Sequence, residues 1–330
     1  MVRAHDGATI AGVTHRPLGN SGLVVSIVGL GCNAFGRRID ADASTAVVDA
    51  ALDEGITLFD TADSYGFGAS ETILGRALGS RRAEVVVATK FGSDMQGRNG
   101  PDWGVRASRR YVRTAVTASL RRLGTDWIDL YQLHEPDGVT PFDETLAALD
   151  ELVTEGKVRY IGSSNLAAWH VVDADWLART SGYERFVSAQ NKYSIYDRAA
   201  EAELVPACER VGVGILPYFP LEYGLLTGKY RRGEPAPEGS RLAVEKERFN
   251  NADFDRIEAL ERFAAQRDIG LLEVAIGGLA AQPGVASVIA GATKPEQVRA
   301  NVAASRWLPT AEDLAALDQA SASKRGRSAS

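Results

Sequence analysis

SIVGLGCNAFGRRIDADASTAVVDAALDEGITLFD, residues 26–60, changes its hydrophobic period twice. SIVGLG (26–31) is a short apolar run suited to a buried strand, and DASTAVVDAALDEG (42–55) spaces its apolar residues as an amphipathic helix does and stops at a glycine. TLFD (57–60) returns to a short apolar run. The unit reads strand, helix, strand.

The same alternation continues outward. Strand-like runs follow at EVVVATK (84–90), WIDLYQL (127–133), VRYIGS (158–163), FVSAQ (186–190), VGILPY (213–218) and VASVIA (285–290), which with SIVGLG and TLFD makes eight. Helical patterns lie between most of them, as at 108–123, 141–155 and 199–211. Eight strands alternating with helices predict a (β/α)8 TIM barrel, with an open doubly wound sheet as the structural alternative. Upstream, HRPLGNSGLVV (15–25) places Asn20-Ser21-Gly22 between two short runs and predicts an N-terminal β-hairpin. A segment rich in Gly, Pro and charge (222–249) forms a long loop after the seventh strand, the kind that commonly covers a barrel's active site. One barrel domain is expected over 1–320. The small, polar end SASKRGRSAS (321–330) is expected to be a disordered tail.

Composition narrows the classes. The chain has 330 residues, 45% hydrophobic and 24% charged, as a globular protein with a large core does. A net charge of −6 argues against a general polyanion binder, so no nucleic-acid partner is expected. No segment approaches the roughly 18 unbroken apolar residues of a membrane span, and no apolar leader opens the chain, so a cytoplasmic enzyme is the expectation. Cys32 and Cys208 are the only cysteines, without metal spacing, and no metal is expected.

In a barrel, catalytic groups gather at the C-terminal ends of the strands. The strand ends here are polar: Asp60 with Tyr65 just beyond it, Lys90, His134, then Ser163, Ser164 and Asn165, Gln190 and Asn191, and Tyr218. A free phenol has a pKa near ~10, and an adjacent ammonium lowers it. A carboxylate would hold that ammonium charged, and a histidine could orient or share a proton with a substrate oxygen. Such a group suits protonation of a carbonyl oxygen during hydride delivery.

Seven segments carry a family resemblance: FDTADSYG (59–66), ATKFG (88–92), LYQLHEPD (130–137), YIGSSN (160–165), VSAQNKYSIYDR (187–198), LPYFPLEYGLLTGKY (216–230) and GATKPEQVRAN (291–301). In order and position they resemble the aldo-keto reductase superfamily over almost the whole chain. The GLLTGKY and GATKPEQ segments are nearer its bacterial and potassium-channel β-subunit branches than its aldose-reductase branch. The resemblance implies an NAD(P)H-dependent reductase of a small aldehyde, ketone or sugar-like carbonyl, with Asp60, Tyr65, Lys90 and His134 catalytic and Tyr65 the general acid. It implies that Ser164, Asn165 and Gln190 hold the nicotinamide carboxamide and that Tyr218 stacks on the ring. Phe219, Leu221, Gly228 and Lys229 would follow the pyrophosphate, Thr293, Gln297 and Asn301 the adenosine, and Arg241 the 2′-phosphate.

Gly291, Ala292 and Gln297 depart from the basic grip of the aldose-reductase branch. NADPH is nevertheless expected from Arg241, Lys229 and Lys294, with NADH left open. Asn33, Ala34, Phe35, Phe67, Phe91 and Trp103 are expected on the pocket side. Two other classes compete: a nicotinamide-binding regulatory or sensing subunit, and a metal hydrolase using Asp60, Asp63, His134 and Glu135. His5, His15 and His170 have no motif around them, and Asp63 reads as structural. The oligomeric state is not legible.

Overall fold

The computed structural model describes residues 9–322 other than Ala11. His5 and residues 323–330 of the polar tail lie outside the described residues. Strands β1 (Thr9–Ile10), β2 (Val13–Pro17) and β3 (Val24–Ser26) form an antiparallel N-terminal sheet. The expected hairpin is β2–β3, with His15 opposite Ser26 and Pro17 opposite Val24.

Eight parallel strands follow: β4 (Val28–Gly31), β5 (Leu58–Asp60), β6 (Val86–Phe91), β7 (Ile128–Leu133), β8 (Val158–Ser164), β9 (Phe186–Gln190), β10 (Gly214–Ile215) and β11 (Val288–Gly291). Each pairs with its sequence neighbour, and β11 pairs with β4. Between β10 and β11 the sheet closes through bridges Ile215–Val285 and Tyr218–Ile289, with Ile289 N donating to Pro217 O at 3.0 Å. Closure selects the (β/α)8 barrel over the open sheet.

Helices α1 (Ala41–Asp53), α2 (Ala69–Leu78), α3 (Arg109–Leu123), α4 (Phe142–Thr154), α5 (Ala168–Ser181) and α6 (Leu204–Val211) follow strands β4 to β9 in turn. Local chemistry sets their ends. Asp40 caps α1 through Ala43 N, and Ser108 caps α3, which Gly124 ends in the left-handed region. The segment after β10 is more ordered than a plain loop. It contains α7 (Arg241–Val244) and α8 (Lys246–Asn250) and buries Tyr230 and Leu242. Helices α9 (Phe254–Ala265) and α10 (Leu271–Ala280) precede β11, and α11 (Pro295–Ala304) and α12 (Ala311–Ser321) follow it. Helix α12 thus includes Ser321, the first residue of the expected tail.

Strand parity divides the core. Leu58, Ala88, Leu130, Leu216 and Ile289 fill the barrel interior, and Leu18, Leu23 and Val25 of the hairpin plug its N-terminal end. Outward-facing strand residues pack against the helices in a second, larger cluster. Inside the barrel, Gly162 leaves room for Ser188, whose Oγ would stand 2.1 Å from any added Cβ. The interior is therefore apolar at one end and polar at the other.

Candidate active site

Two positions beyond the apolar interior residues on the same strand faces stand Asp60 (after Leu58), Lys90 (after Ala88) and Gln132 (after Leu130). Parity alone points them into the barrel. Lys90 Nζ donates to Asp60 Oδ1 and Oδ2 at 2.8 and 2.7 Å, to Thr61 O at 2.8 Å and to Tyr65 Oη at 3.4 Å. Lys90 has no solvent exposure and Asp60 is 2% exposed. Four acceptors share three N–H bonds, and the phenol is the most distant of them.

Asp60 has further support. Gln190 Nε2 donates to its Oδ1 at 2.7 Å, and Gln132 Nε2 approaches the same oxygen at 3.5 Å. Burial by itself lowers the Lys90 pKa, but Asp60 and Tyr65 outweigh it, so the ammonium is held above its ordinary value. Burial pushes the Tyr65 phenol up, and the opposing pull of Lys90 is smaller. Lys90 acts in the expected direction, yet the phenol stays above its ordinary value.

Tyr65 lies in a tight turn. Gly66, Phe67 and Gly68 all have positive φ, at 59°, 52° and 94°, and the turn leads into α2. The His134 ring meets the Tyr65 ring edge-on with centroids 6.0 Å apart. Burial first, and then the Lys90 charge, pushes the His134 pKa from 6.5 down to about 3. At neutral pH His134 is an uncharged imidazole.

Beside this group the residues expected to hold a nicotinamide come together. Asn165, at φ 58°, donates through Nδ2 to His134 O at 3.0 Å and to Ser164 Oγ at 3.2 Å, and accepts from Tyr218 Oη at 2.8 Å. Ser164 Oγ donates to Gln190 O at 2.8 Å. Tyr218 packs edge-on against Phe219 at 5.1 Å, and Phe219 lies 4.4 Å from Tyr223. Leu221 is partly buried against the core, and Gly228 ends the following turn with φ 75°. Arg241 lies over Tyr223 at 4.4 Å, and its Nε donates to Glu245 at 2.7 Å. Gln297 Oε1 accepts from Thr293 N and Oγ1 at 2.8 and 3.2 Å, while Asn301 is buried one turn further along α11.

Residues of this strip could hold a dinucleotide. Lys229 and Lys294 make no ion pair among the described residues, and the turns after β10 hold Phe219, Glu222, Tyr223 and Gly224 at positive φ, with Glu222 N and Gly224 N donating within the turn to Phe219 O and Leu221 O at 3.0 and 2.8 Å.

The expected pocket wall needs correction. Phe35 and Phe91 are fully buried in the helix-facing cluster, and Phe91 stacks on Tyr131 at 4.7 Å. Strand parity is the reason: Lys90 points inward, so its neighbour Phe91 points outward. Ala34 is buried as well. Phe67 and Trp103 are exposed, with Arg98 and Arg110 over their rings at 4.2 and 4.0 Å, and Asn33 is half-buried beside Gly291. The residues of the hydrolase alternative go to separate partners: Asp60 to Lys90, Asp63 to Asn99 and Glu135 to Ser93. Among the described residues no three His, Cys, Asp or Glu side chains are arranged to hold a metal ion.

Gln132 and the carbonyl of Thr61 were not among the residues singled out from sequence. Gln132 was detectable, because Leu130, Gln132 and His134 alternate on one face.

The chain is a closed parallel barrel with a buried Lys-Asp pair, a tyrosine and a neutral histidine at its C-terminal strand ends. The chain belongs to the Aldo/keto reductase family, whose profile matches residues 27–322. It is 38% identical over 300 residues to the oxidoreductase YrpG of Bacillus subtilis (strain 168), covering 87% of this chain and 89% of that one. It is 39% identical over 309 residues to the NADH-specific methylglyoxal reductase of Escherichia coli (strain K12), with 87% and 92% covered. It is 34% identical over 306 residues to a "Probable voltage-gated potassium channel subunit beta" of Oryza sativa subsp. japonica, with 89% and 92% covered. Members of the family reduce small carbonyl compounds with a nicotinamide cofactor. Among the described residues no helix is long and apolar enough to cross a membrane.

Proposed function

We propose that this protein reduces a small aldehyde, ketone or sugar-like carbonyl with Tyr65 as the general acid. The observation that carries the reading is the Lys90 contact to the phenol oxygen at 3.4 Å, made by an ammonium that Asp60 holds charged. Because Lys90 donates to Tyr65 Oη, the phenol's own hydrogen is directed elsewhere and can be given to a carbonyl oxygen. His134 is neutral at working pH, so it positions that oxygen by hydrogen bonding and leaves proton donation to Tyr65. When bound, the nicotinamide cofactor supplies the hydride.

Ser164, Asn165 and Gln190 would hold the carboxamide and Tyr218 the ring. Lys229, with Phe219, Leu221 and Gly228, would follow the pyrophosphate, and Thr293, Gln297 and Asn301 the adenosine. NADPH is the proposed cofactor. Glu245 occupies only Nε of Arg241, and no hydrogen bond among the described residues takes its terminal nitrogens, which remain for a 2′-phosphate. The relative named as NADH-specific makes NADH the competing outcome.

The test is a titration of the purified protein with NADPH and NADH, followed by a panel of small aldehydes and ketones with absorbance read at 340 nm. Binding with turnover supports the proposal. Tight binding without turnover of any carbonyl would assign a sensing role instead, and no nucleotide binding would sink the reading.

A further inference from the structure

A second polar cluster, which the chemistry above does not use, is buried behind the turn that carries Tyr65. Arg122, from the last turn of α3, donates through Nε to Glu71 Oε2 at 2.6 Å, through one terminal nitrogen to Asn99 Oδ1 at 2.8 Å and through the other to Ser119 Oγ at 3.3 Å. Asn99 Nδ2 donates to Asp63 Oδ2 at 2.9 Å. Asp63 and Glu71 are fully buried and Asn99 is 5% exposed. Glu71 therefore holds the guanidinium directly, and Asp63 is linked to it through Asn99.

The cluster touches both halves of the proposed acid. Glu71 Oε1 accepts from Thr89 Oγ1 at 2.6 Å, next to Lys90 in sequence, and Asp63 N donates to Lys90 O at 3.2 Å. Arg122 also packs directly under Gly68: a Cβ on that residue would lie 2.5 Å from Arg122 Cδ. The guanidinium thus supports the three-residue left-handed turn that follows Tyr65. Asp63 Oδ1 is buried with no hydrogen-bond partner among the described residues. An anion so placed would be poorly compensated, whereas a neutral carboxyl group would not.

Resting on the reading of Tyr65 as the acid, we propose that Asp63, Glu71 and Arg122 are a positioning cluster that sets the Tyr65 hydroxyl against Lys90, with Asp63 protonated in the competent form. The groups facing Asp63 are Glu71 from α2, Arg122 and Tyr111 from α3, and Tyr131 from β7. Burial first and the Glu71 charge second push Asp63 up to about 8, against smaller pulls from Arg122, Asn99 and the Ser64 backbone amide. Both phenols are raised, chiefly by burial, and stay neutral through this range. Ionising Asp63 adds a second carboxylate charge beside Glu71. That charge draws on Arg122 through Asn99 in competition with Glu71, which shifts the guanidinium under Gly68 and loosens the turn.

The experiment compares pH profiles of kcat for wild type, Asp63→Asn, Asp63→Ala and Arg122→Met, with methylglyoxal as the probe aldehyde and NADPH binding followed by fluorescence. Wild type should lose kcat through a step near pH 8. Asp63→Asn, the isostere of the protonated form, should lack that step and recover most of the activity that Asp63→Ala loses. Arg122→Met should lower kcat by about tenfold or more with NADPH affinity unchanged. The same alkaline step in Asp63→Asn, or wild-type kcat in Arg122→Met, would overturn the proposal.

Thermal melting gives a readout free of activity and serves if Arg122→Met does not fold. A carboxyl raised from 3.8 to about 8 on folding stabilises fully below 3.8 and loses that contribution as pH rises to 8. Asp63→Asn should therefore melt increasingly above wild type between those limits, with no further change above them. Coincident melting curves at every pH would count against the proposal. Full activity in Tyr65→Phe would reject the tyrosine reading separately, since that change leaves the cluster intact.

Discussion

Lys90 grips both carboxylate oxygens of Asp60, at 2.8 and 2.7 Å, across 30 residues of sequence and out of contact with water. The pair orders the site: Gln190 and Gln132 converge on the same carboxylate, and the remaining reach of Lys90 goes to Thr61 O and Tyr65. Breaking one member of such a pair leaves an uncompensated buried charge, worth about 3–5 kcal/mol. Asp60→Asn should destabilise the protein by that order and suppress kcat together, because the unpaired ammonium sheds its proton. Chemical denaturation and steady-state kinetics on the same preparation check this, and wild-type stability in Asp60→Asn would contradict the role of the pair.

Tyr65→Phe removes the proton donor and little packing. We expect kcat to fall by about 10²–10⁴-fold with NADPH affinity nearly unchanged. Single-turnover absorbance and fluorescence titration separate the two quantities, and retained turnover would take Tyr65 out of its role.

His134 is neutral when folded because its pKa falls from 6.5 to about 3, so the unfolded chain binds a proton there that the folded chain refuses. Stability from this group is present above 6.5 and declines as pH falls toward 3. Between pH 6.5 and 4 the decline is on the order of 3 kcal/mol. His134→Gln should show a shallower acid loss in urea unfolding than wild type. Parallel pH profiles for the two proteins would refute the assignment.

Arg241→Ala tests cofactor choice. KM for NADPH should rise about tenfold or more while KM for NADH changes little, as loss of a charged contact to phosphate predicts. Equal changes would show that Arg241 does not read the 2′-phosphate.

Phe91 is a core residue stacked on Tyr131, with no exposure. Phe91→Ala should destabilise by about 3–5 kcal/mol without changing KM for small aldehydes at temperatures where it remains folded. A selective rise in KM at unchanged stability would restore it to the pocket.

Much of this architecture was legible along the chain. The eight strand runs fall on β4 to β11, and helix limits such as Arg109–Leu123 follow from a serine cap and a closing glycine. Position along a strand was legible as well, which placed Asp60, Lys90 and His134 at one end of the barrel. Side-chain direction was missed at Phe35 and Phe91, where the apolar character that suggests a pocket wall equally suits the layer under the helices. Asp63, set aside as structural, shares its buried surroundings with Glu71, Asn99 and Arg122, 8, 36 and 59 positions further along the chain. No local pattern links residues so separated.

The sequence by itself determined the alternation of strands and helices, the hairpin and the polar strand ends, because hydrophobic period and turn chemistry act over a few neighbouring residues. Only the tertiary structure decided that Lys90 spends two of its contacts on Asp60, that His134 is neutral, and that Glu71 directly and Asp63 through Asn99 are joined to Arg122 behind Tyr65. Those outcomes depend on distance and on exclusion of water. Both are set when the barrel closes and brings remote strand ends together.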